Sequence, residues 1–239
     1  MHPSSRPGRL SITWLGHATF YLTSPRGVRL LFDPWLRTNP SCPSDRKKID
    51  AVDLMLITHG HSDHCEDALS VGRSSGALVV APFELSAWLE QKGLRNMRPM
   101  NLGGSQELGG ITVTMVPAVH SSGVLQDGGM IYLGPAVGYV LRFEDGVTVY
   151  FAGDTALFGD MRLIGEMYAP QLAFLPIGDR FTMGPEAAAR ACEWLGVRQV
   201  VPMHYGTFPE LTGTPARLRE LVEPLGVQVL ELRPGEEAG

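Results

Sequence analysis

The sequence predicts an α/β layered domain in which two β-sheets pack face to face with helices outside. Three observations carry this reading. Short apolar runs bounded by Gly, Pro, Ser or Asp recur through both halves of the chain, as strands do. Helical segments lie between those runs rather than in a block of their own. The 239 residues are 44% hydrophobic and 19% charged, enough to build a substantial core, and no linker interrupts them. The chain therefore reads as a single domain over 1–239 with a loose N-terminal tail at 1–9.

In the first half, strands are expected at "LSITWLG" from Leu10, "TFYLTS" from Thr19, "VRLLFDP" from Val28, "DLMLITH" from Asp53, "ALVVAP" from Ala77 and "GITVTMVPAVH" from Gly110. In the second, "AVGYVLRFEDGVTVYFAGD" from Ala136 holds two alternating segments around Asp145-Gly146, a hairpin turn. Further strands follow at "LAFLPIG", "QVVPMH" and "VQVLELR", and the halves are expected to meet near 118–136. Helices are expected at "FELSAWLEQKG" after Pro82, "MRLIGEMY" from Met161, "PEAAARACEWLG" from Pro185 and "PARLRELVEPLG" from Pro215. Pro at or near the first helical position and Gly just past the end punctuate three of the four.

Composition narrows the function classes. No apolar stretch approaches the roughly 20 residues of a membrane span, and "MHPSSRPGRL" lacks the apolar core of a signal peptide, so a cytoplasmic protein is expected. The three cysteines, Cys42, Cys65 and Cys192, form no CxxC pair and are odd in number, which suits reduced thiols. With 20 Lys and Arg against 25 Asp and Glu, and no basic block beyond "DRKK" at Asp45, no footprint for nucleic acid is expected. The expected partner is a small-molecule substrate. A homo-oligomer is a prior from the frequency of symmetric assemblies.

The segment "LITHGHSDHCED" from Leu56 holds three of the chain's seven histidines. Residues two apart in an extended segment point the same way, so His59 and His61 can present their imidazoles to one centre. Asp63 and His64 follow where the chain turns into a helix and can face a second point close by. Imidazole and carboxylate ligate zinc, manganese, iron, cobalt or nickel, whereas a structural zinc site usually recruits cysteine thiolates, so the mixture favours catalysis. An open catalytic site draws on several loops of a rigid scaffold. His120, Asp154 and His204 each close an apolar run, which brings five of the seven histidines to one edge of the fold.

In this order, "THGHSDH", a lone His, "GDT" and a final His, the chain resembles the metallo-β-lactamase superfamily from about Leu10 to Leu232. More narrowly, "FDPWL", "AGDTALFGDMRLIGE", "LPIGDRFTMGPEAAARA" and "PMHYGTFP" look like a subgroup of metal-dependent hydrolases related to the ascorbate-phosphate lactonases. The resemblance implies an αββα sandwich of two mixed sheets with helices on the outer faces. It also implies two divalent metal ions per chain, with zinc first and manganese or nickel behind it. His59, His61 and His120 would hold the first ion, Asp63, His64 and His204 the second, and Asp154 would bridge.

Two such ions, about 3.5–4 Å apart, can share a water and lower its pKa from near 16 toward about 7. The expected activity is hydrolysis of a small ester, lactone or phosphodiester, with Asp63 also orienting the nucleophile. Nuclease action on RNA or DNA, a di-iron oxidoreductase and a non-catalytic metal or metabolite regulator are the alternatives. His17 in "WLGHATF" is either a substrate contact or proton donor, or a simple turn histidine. Asp33 in "LLFDPW" either accepts the second ring N–H of a metal-binding histidine or is a turn carboxylate before Pro34. Cys65 reads as a buried helix-start residue. Asp179, Thr182, Tyr205 and Thr207, in the glycine-containing loops "GDRFTMGP" and "HYGTFP", are candidates to line a substrate pocket.

Overall fold

The computed structural model describes residues 8–239, and over that range the apolar runs become strands. The first part of the chain forms β1 (Ser11–Trp14), β2 (Phe20–Thr23), β3 (Arg29–Phe32), β4 (Leu54–Leu56), α1 (Ser62–Cys65), α2 (Ala68–Ser75), β5 (Leu78–Pro82), α3 (Phe83–Gln91) and β6 (Met97–Met100). Then come β7 (Ser105–Leu108), β8 (Ile111–Pro117), the ribbon β9 (Gly123–Gln126) and β10 (Gly129–Tyr132), β11 (Val137–Arg142) and β12 (Thr148–Phe151). The chain ends with α4 (Met161–Tyr168), β13 (Leu172–Pro176), α5 (Pro185–Leu195), β14 (Gln199–Met203), α6 (Pro215–Val222), β15 (Gln228–Val229) and β16 (Glu237–Ala238).

Two seven-stranded sheets result, ordered β16-β1-β2-β3-β4-β5-β6 and β7-β8-β11-β12-β13-β14-β15. Both read the same way along that order: three antiparallel pairings followed by three parallel ones. Period-2 alternation divides the core. Leu30, Phe32, Leu54 and Leu56 face the second sheet, where they join Val113, Met115, Tyr139, Phe151 and Phe174. Leu31, Met55, Ile57 and Val79 face the other way, under Val71 of α2 and Leu85 and Leu89 of α3. Between the sheets Phe32 stacks on Phe151 at 4.3 Å and Phe20 meets Phe174 edge-on at 4.8 Å. Each such side chain contributes about 1.5–3 kcal/mol on full burial.

The outer face of the second sheet is covered by helices whose ends follow from their sequence. Pro185 opens α5 and Gly196, at φ 66, closes it in the left-handed conformation. Thr214 caps α6 by accepting the Arg217 N–H at 3.2 Å, with Pro215 in the first turn. Helices thus lie on both outer faces, as expected of an αββα sandwich. No helix among the described residues is long and apolar enough to cross a membrane. All three cysteines are free and buried.

Three expectations need correction. The halves do not meet at 118–136. β8 pairs antiparallel with β11, Pro117 opposite Val137, so the chain changes sheets between Met100 and Ser105 and the 118–136 stretch carries the β9–β10 ribbon. The strand before His120 stops at Pro117, which leaves His120 in a loop. Of the loose tail at 1–9, residues 1–7 lie outside the described residues, and the Gly8 N–H already donates to the Pro25 carbonyl at 2.9 Å.

Candidate metal centre

The antiparallel pairings on either side of β2 and of β11 make β1 and β8 run with the parallel strands of their sheets. The segments that follow β1, β3, β4, β8, β12 and β14 therefore open on one edge, where side chains from both sheets meet. That edge, at the carboxyl ends of the strands, is where α/β sheets place their ligands. His17 follows β1, Asp33 β3, His59 to His64 β4, His120 β8, Asp154 β12 and His204 β14.

Three overlapping groups of donors form there, each with its ligand atoms within 4.8 Å of one another: His59, His61 and His120; His59, His64 and Asp154; and His17, Asp63, His64 and His204. His59 Nε2 lies 3.0 Å from His61 Nδ1. Asp154 Oδ2 lies 3.0 Å from His204 Nε2, 3.3 Å from His64 Nε2 and 3.6 Å from His120 Nε2. Asp63 Oδ2 is 3.8 Å from both His64 Nε2 and His204 Nε2. Every candidate ligand named from the sequence is thus in the cluster.

Local structure aims these side chains. α1 starts at Ser62, so the chain leaves an extended His59–His61 segment and turns within one residue, presenting Asp63 and His64 on the first helical turn. Gly60 fits here because a Cβ would stand 2.6 Å from the Leu133 side chain, and its N–H donates to Ser122 Oγ at 3.1 Å. His17, Asp33 and His204 all adopt left-handed backbone, at φ 56, 44 and 55. For such residues that conformation is uncommon and clusters at functional sites.

Burial and charge set the protonation states. Burial would lower His64, but Asp154, Asp63 and Asp33 around it hold it well above the usual histidine value. Burial, joined by the charge on His64, takes His59 well below that value, and His61 and His120 are lowered for the same two kinds of reason. Burial brings His17 down to about 4. Burial alone would raise Asp154 and Asp63, yet the facing histidines keep both below the ordinary carboxylate range.

The residues present fit a metal ion. His64 Nε2 and Asp154 Oδ1 are buried with no hydrogen-bond partner among the described residues. Leaving a buried polar atom unmet costs about 1–3 kcal/mol, more when it is charged. A cation placed among imidazole nitrogens and carboxylate oxygens meets that need, and the all-N,O donor set suits first-row divalent ions.

The other expected site residues are placed as follows. His17 is fully enclosed and turned onto Asp63 at 3.0 Å, which leaves it no surface for a substrate. Asp33 accepts from His64 Nδ1, Thr58 N and Thr58 Oγ1, each at 2.8 Å. Asp179 is exposed in a turn at φ 67, and Thr182 hydrogen-bonds locally, through its N–H to the Asp179 carbonyl and its hydroxyl to Met183 O. Tyr205, half-buried, stacks on Trp14 at 5.2 Å, and Trp14 Nε1 donates to the His17 carbonyl at 2.9 Å. Sequence reasoning missed Thr58, which bonds both Asp33 and His59, and Ser121, whose Oγ lies 3.3 Å from His61 Nε2.

Two mixed sheets with a buried His/Asp cluster on their shared edge define a metal-binding protein, and its relatives make it a metal-dependent hydrolase. The chain belongs to the β-lactamase superfamily: the model of the "Beta-lactamase superfamily domain" matches residues 28–205. It is 50% identical over 227 residues to a UPF0173 metal-dependent hydrolase of Koribacter versatilis, covering 95% of this chain and 97% of the relative. A relative with the same description from Rubrobacter xylanophilus is 51% identical over 235 residues, covering 97% of each chain. Among solved structures, Igni18, a metallo hydrolase from the hyperthermophilic archaeon Ignicoccus hospitalis, superposes with a TM-score of 0.85 at 37% identity, over 96% of this chain and 97% of that one.

Proposed function

We propose that this metal-dependent hydrolase holds two divalent ions side by side and cleaves a small ester, lactone or phosphodiester. His59, His61 and His120 would hold one ion, Asp63, His64 and His204 the other, with Asp154 between them. The observation that best supports this is the reach of one atom: Asp154 Oδ2 stands within 3.6 Å of His120 in the first set and of His64 and His204 in the second. When bound, such ions lower the pKa of water toward about 7 and polarise a carbonyl or phosphoryl oxygen. Zinc is the first candidate, then manganese or nickel.

The chain's own residues would do the rest. Asp63, with 27% of its side chain exposed, is the carboxylate that solvent reaches most easily, so it can accept a hydrogen bond from the attacking water and hold it in line. Asp154, at 3%, is too enclosed for that and serves as a fixed ligand. Exposed Val119 beside His120, and Phe208 over Trp35, give the edge an apolar lip that suits the organic part of a small substrate. Three buried free thiols suit work in a reducing compartment such as the cytoplasm.

The test is turnover of chromogenic phosphodiester, lactone and carboxyl-ester substrates by the metal-loaded protein, with Asp154→Ala as control. Turnover that needs Asp154 and stops on chelation supports the reading and tells which ester class is handled. Two bound ions without turnover on any of the three would shift the protein to the regulator reading.

A further inference from the structure

Behind Asp63 lies a group the hydrolase reading leaves unused, the His17 ring. It has no exposed surface, and its left-handed backbone is braced from two sides. The His204 N–H donates to the His17 carbonyl at 3.1 Å, and Trp14 Nε1 donates to the same oxygen at 2.9 Å. The ring itself packs against His204 at 3.9 Å and edge-on to Trp35 at 5.1 Å. Its nitrogens have one polar neighbour each: Thr207 Oγ1 lies 2.9 Å from Nδ1, and Asp63 Oδ2 lies 3.0 Å from Nε2.

For a neutral ring these contacts admit one proton arrangement. A carboxylate only accepts, so Nε2 must carry the proton that points at Asp63. Nδ1 is then bare and accepts from the Thr207 hydroxyl, whose other acceptor, the Tyr205 carbonyl, is farther away at 3.5 Å. The opposite tautomer would set the Nε2 lone pair against a carboxylate oxygen at 3.0 Å.

We propose that His17 is a positioning residue: the relay from Thr207 Oγ1–H to Nδ1 and from Nε2–H to Asp63 Oδ2 holds the Asp63 carboxylate facing His64 and His204. This rests on reading Asp63 as a ligand of the second ion. The Asp63 oxygen that His17 grips is the one 3.8 Å from both His64 Nε2 and His204 Nε2, so one lone pair is pinned while the other faces the centre. Loss of such a hydrogen-bond partner typically weakens metal binding about 10–100-fold. The effect falls on the second ion, because no contact joins His17 to His59, His61 or His120.

Two experiments test it. In the metal-free wild-type protein labelled with ¹⁵N at histidine, long-range ¹H–¹⁵N correlation should show His17 protonated on Nε2 alone, the signal being assigned by its disappearance in His17→Gln. A proton on Nδ1, alone or with Nε2, overturns the relay. Zinc titration against a competing chelator then compares variants. His17→Leu should weaken the second ion about 10–100-fold and spare the first, while His17→Gln, whose amide can donate to Asp63, should stay within a few-fold of wild type. Wild-type affinity in His17→Leu overturns the proposal, and so does a His17→Gln protein as weak as His17→Leu, since the ring would then be a direct ligand. Should His17→Leu fail to fold, Thr207→Val at a half-buried loop position serves instead, with several-fold weakening expected and none overturning the relay. If the wild-type protein takes up a single ion, the two-ion reading fails, and the metal-free tautomer still decides the relay.

Discussion

Asp33 Oδ2 accepts a hydrogen bond from His64 Nδ1 at 2.8 Å, and neither side chain exposes any surface. The same carboxylate takes the Thr58 N–H and hydroxyl, and Thr58 Oγ1 in turn lies 3.0 Å from His59 Nδ1. One buried acid therefore sets the rings of two histidines that share a donor group with Asp154, turning each Nε2 toward the centre. A histidine oriented in this way through its other nitrogen is the usual support of a metal ligand.

Removing that acid should be costly twice over. Asp33→Ala leaves the His64 ring with an unmet buried N–H, and we expect a loss of about 3–5 kcal/mol in denaturant unfolding of the metal-free protein. Metal affinity should fall about 10–100-fold in the same variant. Asp33→Asn should do less harm, because its amide oxygen can still accept from His64. An Asp33→Ala protein with the wild-type unfolding midpoint would sink this account.

The two ion sites proposed above should differ in how metal uptake depends on pH. His64 is buried but lifted well above the usual value by Asp154, Asp63 and Asp33, so in the metal-free protein it keeps its proton at neutral pH. The stability it contributes is full below the unfolded value, about 6.5, and is lost as the pH rises through the higher folded value. An ion binding at His64 must displace that proton, so affinity there should rise about tenfold per pH unit while His64 remains charged. His59, His61 and His120 are all shifted down, chiefly by burial, and are neutral above about pH 6.5, so uptake there should be nearly flat. Competition titrations at several pH values measure both slopes, and equal slopes would contradict the assignment.

Gly153→Ala should disturb the centre from outside it. Gly153 sits at φ 60, and an added Cβ would stand 2.8 Å from both Thr58 Cβ and the Val137 carbonyl. Overpacking of this kind costs about 1–3 kcal/mol, and here it also pushes on the threonine that links Asp33 to His59. Expected results are a lowered melting temperature and weaker metal uptake. A variant as stable as wild type would show that the loop yields freely.

Cys65 should be chemically silent despite its place beside His64. Burial pushes its thiol up to about 12, and Sγ lies 3.4 Å from the Gly60 carbonyl. Thiol reagents should not label it in the native protein at neutral pH, and Cys65→Ala should keep the wild-type metal content. Fast labelling, or loss of an ion in Cys65→Ala, would make it a ligand.

Residues that announce themselves by type were legible in the sequence. Runs such as "VRLLF" and "LAFLP" become β3 and β13 because consecutive buried positions leave few other solutions, and α5 and α6 are punctuated by Pro and Gly. β6, "MRPM", was not legible, since a proline and an arginine in four residues mask a strand that lies at the sheet's edge. β7, "SQEL", is polar for the same edge reason, and β16 is two residues whose pairing with β1 depends on the opposite end of the chain. The cluster's histidines stood out as a group. Thr58 did not, because a threonine becomes informative only through what lies beside it, and Thr207, expected at a substrate pocket, instead meets His17 across 190 residues of sequence.

The matching pairing pattern of the two sheets bears on when a metal can be captured. The first sheet's loops bring His59, His61, Asp63 and His64, whereas His120, Asp154 and His204 follow strands of the second. A nascent chain with only its first hundred residues outside the ribosome thus displays imidazoles without Asp154, the acid proposed to join the two ion sites. On the two-ion reading, capture of both ions has to wait until both sheets have closed, which would make the loaded centre a seal on finished synthesis rather than a template for it.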